Sequence, residues 1–135
     1  MHKAGDVSIN VDAAMAVSHL IGLEEHLAAT VAIFNDPHMI GTIHHVRATR
    51  KCMLEFLVGA QPPGELWCAS KHVLGAWMRI KEVGDKLTSY DGDDSKAAAI
   101  EMYQMAASME RVLKEIMLAI QQYQNNAMRC EVCIE

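Results

Sequence analysis

Histidine and cysteine are the side chains through which this chain could do chemistry, and several stand at helical spacing. His19 and His26 are seven residues apart, two turns of an α-helix, and His45 and Cys52 repeat that interval. Imidazole and thiolate are ligands for zinc, copper or iron, and in helical bundles such ligands come from facing helices. If the two segments form a hairpin turning near Asn35-Asp36, His26 lies level with His45 and His19 with Cys52. Zinc or another transition metal is the cofactor that such a set would take. A second candidate is the tail, Cys130-Glu131-Val132-Cys133. Two thiols at this spacing chelate a soft metal or close a disulfide, and two tails in a dimer would supply four thiolates. The other cysteines, Cys52 and Cys68, fall on helices and are expected to be shielded while the chain is folded.

Charge gives two further candidates. Glu24 and Arg50 interrupt otherwise apolar helical seams, and the same hairpin places Glu24 level with Arg47 and less than one turn from Arg50. A buried carboxylate needs a partner, and the guanidinium fork fits one, so Glu24 is expected in a structural ion pair with Arg47 or Arg50. Glu82-Val83-Gly84-Asp85 resembles the Glu-x-x-Asp element of the all-α nucleotide pyrophosphohydrolases. In that family a Glu-Glu-x-x-Glu element on another helix joins it to hold magnesium. Glu24-Glu25 matches the first two positions of that element, but Ala28 occupies the third. The resemblance covers one short element and a dipeptide, and it implies an enzymatic reading ranked third. The Glu-x-x-His pairs of ferritin-like di-iron bundles do not occur in the sequence. Neither a Ser/His/Asp arrangement nor a glycine-rich phosphate loop is recognisable, so no catalytic and no organic-cofactor residue is assigned.

Four helices must position these groups. Asn10 or Asp12 caps the first, over about 11–34. Asn35-Asp36-Pro37 stops it and starts the second, over about 37–58, with Asp36 as cap. Gly59 to Gly64 leads to the third, over about 65–89, and Tyr90 to Ser95 forms a turn before the fourth, over about 96–127. Each segment carries an apolar seam in alternating steps of four and three, the spacing of left-handed helix packing. The seams are Ala13 to Phe34, Met39 to Leu57, Leu66 to Leu87, and Ala99 to Ala127. The fold expected is an all-α antiparallel up-down-up-down four-helix bundle with a long fourth helix and a tail over 128–135. The surplus length of that helix predicts a homodimer burying Ile116, Ile120 and Tyr123.

Length and composition agree with one domain covering residues 1–135. Hydrophobic types make up 51% and charged types 21%, which excludes intrinsic disorder. The formal charge of −5 offers no basic field for nucleic acid. His19, Glu24 and Glu25 interrupt the longest apolar stretches, so no membrane partner is expected, and without a leader pattern the location expected is cytoplasmic. The leading functional expectation is a small non-catalytic binding module that forms a homodimer. The alternative is a metal- or thiol-dependent bundle using His19, His26, His45 and Cys52, or the tail cysteines.

Overall fold

A computed structural model describes residues 7–60 and 62–132, with the backbone alone for 7 and 127–132. The protein is all-α: four helices, α1 (Val7–Phe34), α2 (His38–Val58), α3 (Leu66–Leu87) and α4 (Asp93–Val132), with no strand among the described residues. The chain divides at Gly59 into two compact units, one holding α1 and α2, the other α3 and α4. The bundle expected from the four seams is met as far as these two helix pairs.

Turn chemistry explains the breaks. Asn35 takes φ +49°, a left-handed conformation that asparagine tolerates, and closes α1. Asp36 Oδ1 then accepts the His38 N–H at 2.9 Å, satisfying one free donor at the start of α2. Gly92 at φ +112° turns the chain from α3 into α4, and its carbonyl accepts the Lys96 N–H at 3.3 Å. The first and last helices run longer than the sequence predicts. Asn10 and Asp12 lie inside α1 rather than at its cap, since the helix already begins at Val7. Asp94 and Ser95 lie inside α4, whose first turn holds Asp93 and Asp94, carboxylates favourable beside the positive end of the helix dipole.

In the first unit Ala13, Ala14, Val17, Val46, Leu54 and Leu57 are buried. In the second, Ser70, Leu74 and Gly84 of α3 and Ala99, Ala106, Leu113 and Ile120 of α4 are buried. The four α4 residues recur every seven positions and so form one packed row along that helix. Ser18 and Ser70 return their hydroxyls to the carbonyls of Ala14 and Leu66, which removes the cost of burying them.

Candidate functional site

Glu24 and Arg50 meet between α1 and α2. Arg50 Nε donates to Glu24 Oε2 at 2.5 Å and Nη2 to Oε1 at 3.3 Å, a two-pronged pairing with side chains 7% and 17% exposed. Arg47, the level residue, is exposed. The long guanidinium stem spans the offset of nearly one turn, and Arg50 shares a helix face with buried Val46, Leu54 and Leu57. Both charges are matched, so the pair ties the two helices together and leaves no free group for proton transfer.

The expected metal ligands are dispersed. His19, His26, His45 and Cys52 are all exposed, and among the described residues no three His, Cys, Asp or Glu side chains come together to hold a metal ion. His26 and His19 occupy the outer face of α1, while Ala13, Val17 and Glu24 occupy the covered one. The side chain of Cys130, and Cys133 as a whole, lie outside the described residues. Cys52 and Cys68 are exposed free thiols, which corrects the expectation of shielding: both sit on the solvent side of their helices.

The acidic element on α3 has local partners. Glu82 pairs with Arg79 at 3.3 Å and Lys86 at 3.7 Å. Asp85 accepts Lys81 Nζ at 2.8 Å and the Tyr103 hydroxyl of α4 at 2.7 Å. The Lys81 hydrogen bond, then that of Tyr103, holds the Asp85 carboxyl below its ordinary 3.8, and Asp85 in turn raises the Tyr103 phenol above 10.0. Gly84 makes this contact possible, since a Cβ there would stand 2.7 Å from Tyr103 Cε1. Asp85 thus forms an interhelical latch with Tyr103, while Glu82 is paired within α3.

That latch sets the register of α3 against α4. Gly84 lies beside Met102 Cβ and the Tyr103 ring, so residues whose numbers sum to 187, to within one residue, are level in this antiparallel pair. It also marks one side of the pair. Asp85 and Tyr103 are each rotated in the same sense from the packed row of their own helix, and in antiparallel helices that brings both to one side. A second row on each helix is rotated the other way, so both second rows face the opposite side. On α3 this row is Ala69, Val73, Ala76, Ile80, Val83 and Leu87; on α4 it is Met102, whose Cβ also borders Gly84, then Met105, Met109, Val112, Ile116 and Ala119, continuing to Tyr123. Every step is three or four residues and every member is apolar or aromatic. Val83, Met105 and Tyr123 are exposed, and most of the others are half-buried. The pair thus carries one broad apolar face, rich in methionine, a residue that suits adaptable contacts.

The expected dimer residues divide accordingly. Ile120 belongs to the packed row and is buried, whereas Ile116 and Tyr123 lie on the second row. At 40 residues α4 is ~60 Å long against ~33 Å for the 22 residues of α3. By the register, Leu66 is level with Gln121, so the part beyond is overhang, and 121–126 are exposed amides around Tyr123.

Other apolar surface is open in the first unit. Ile33 and Phe34 are each 74% exposed, and Ile40 lies exposed across the same turn. By length and composition alone, Ser8–Phe34 of α1 would also suffice to cross a membrane, although Glu24, Glu25 and two histidines lie along it. Compared with known proteins, the chain matches no family model, no curated protein and no solved structure.

Proposed function

We propose that this protein is a helical interaction module without catalysis of its own, working as a homodimer. The observation that carries this reading is the apolar face of the α3–α4 pair, two continuous rows with exposed members at Val83 and Met105. Contiguous apolar surface of this kind on a small protein marks a binding face, because leaving it in water is unfavourable in proportion to its area. An up-down-up-down bundle closed within one chain competes for the same residues.

Mass separates the two. Light scattering of the full chain at micromolar concentration is expected to give twice 14.9 kDa. A mass of 14.9 kDa at every concentration, with the face shielded from apolar dyes, would establish the closed monomer instead.

A further inference from the structure

We propose that a second copy of this chain docks on the apolar face of the α3–α4 pair about a twofold axis parallel to the helices, so that each α3 lies against the partner's α4. This rests on the homodimer reading and adds its face, axis and register.

Charge along the two edges of the face selects the arrangement. Beside the second row of α3, on its outer edge, stand His72, Arg79 and Lys86, seven residues apart and therefore in one line. Beside the second row of α4, on its outer edge, stand Glu101, Ser108 and Glu115, again at intervals of seven. One bank is basic and the other acidic. Neither Glu101 nor Glu115 forms an ion pair with a described residue, whereas Arg79 and Lys86 each pair with Glu82 of their own helix. An axis along the helices lays the acidic bank of one copy against the basic bank of the other. An axis across the helices, in the plane of the face, lays acid on acid and base on base.

Register follows without a free parameter. A closed twofold pair permits no sliding along its axis, so heights in the dimer repeat heights within each hairpin. With numbers that sum to 187 level, Lys86 meets the partner's Glu101, His72 meets the partner's Glu115, and Arg79 meets the partner's Ser108. Both carboxylates gain a donor at their own level. The apolar rows interleave at the same time: Ile80 of α3 is level with position 107, between the partner's Met105 and Met109.

The test uses the full chain and measures the dimer constant by light scattering, with helicity by circular dichroism as a check of folding. Val112→Asp puts a carboxylate into the face and should raise Kd by about a hundredfold or more. Ala107→Asp, exposed on α4 away from the face, should leave Kd unchanged. Glu115→Lys should raise Kd by about tenfold, roughly threefold for each of two symmetry-related pairs, and adding His72→Glu should restore it. This swap lies on the surface and tests the register even if Val112→Asp fails to fold. A dimer tightened by Glu115→Lys overturns the axis. A dimer indifferent to both Val112→Asp and the swap overturns the face while the homodimer reading stands. A monomer at all concentrations overturns both.

Discussion

Glu24→Ala removes the carboxylate from a pair whose guanidinium side chain is only 7% exposed and leaves Arg50 charged among apolar neighbours. Two hydrogen bonds, at 2.5 and 3.3 Å, go with it. An uncompensated buried charge costs about 3–5 kcal/mol. With an unfolding entropy of about 2.1 cal/mol/K per residue, a cooperative unit of this length loses about 10 °C in Tm for the lower figure. If the first unit melts by itself, its smaller entropy makes the fall steeper. Thermal and urea unfolding followed by circular dichroism measure the effect. The companion variant is Glu24→Leu combined with Arg50→Met, which removes both charges and keeps apolar volume. It should recover most of the loss, since a well-packed apolar pair often equals or exceeds a buried ion pair. A single variant within about 1 kcal/mol of the parent would show that solvent reaches Arg50 and screens it. A double variant as damaged as the single one would refute the charge argument in another way, by assigning the cost to lost packing.

Three further outcomes follow from the same geometry. Cys52 and Cys68 are exposed, so two thiols should react with a disulfide reagent at the rate of an unhindered thiol in the folded chain, and protection of either would contradict its placement. Tyr103→Phe should lower the melting temperature only within a pH window. Asp85 is lowered in the folded state, so its contribution is present above 3.8 and lost as pH falls through the folded value; Tyr103 is raised, so its contribution is present below 10.0 and lost as pH rises through the folded value. Melting curves of parent and variant should therefore converge at both extremes, and a gap that persists there would assign the loss to packing. Gly84→Ala should destabilise despite a gain in helix propensity of up to ~1 kcal/mol, because its Cβ would displace the Tyr103 ring, and restoration by Tyr103→Ala would identify that clash as the cause.

Much of this architecture is legible in the residues alone, and what is not has physical causes. Helices and turns follow from Asn35-Asp36-Pro37 and from glycine at Gly59 and Gly92, where the chain needs conformations closed to most residues. A charged pair on two seams is equally readable, because Glu24 and Arg50 interrupt runs that are otherwise apolar; spacing leaves open only the choice between Arg47 and Arg50, since one turn of offset is within reach of an arginine. The histidines show what spacing leaves open: an interval of seven puts side chains on one face without saying which face. His19 and His26 share a stripe, and it is the one turned outward. The Glu-x-x-Asp element holds a second signal. That signal is the glycine inside it, costly in a helix unless another group packs against it, and Tyr103 is that group.

The face on α3 and α4 shows most plainly where linear reading stops. A seam in steps of three and four covers a stripe wide enough to hold two adjacent rows. Val73, Ile80 and Leu87 fall on the same sequence seam as Ser70 and Gly84, yet one set packs against α4 and the other turns partly to solvent. Periodicity cannot separate them, because both satisfy it. Tyr103 on Asp85 separates them by fixing which side of each helix meets its neighbour. The same contact gives meaning to two lines of charge present in the sequence from the start. His72, Arg79 and Lys86 recur every seven residues, as do Glu101, Ser108 and Glu115, but with no register they are two solvated edges. Once Gly84 is set beside Tyr103, each glutamate falls level with a basic residue that the proposed second copy would bring to it. Apolar rows supply the attraction for such a pairing and do little to choose its direction; the charged banks, each weak in water, do the choosing.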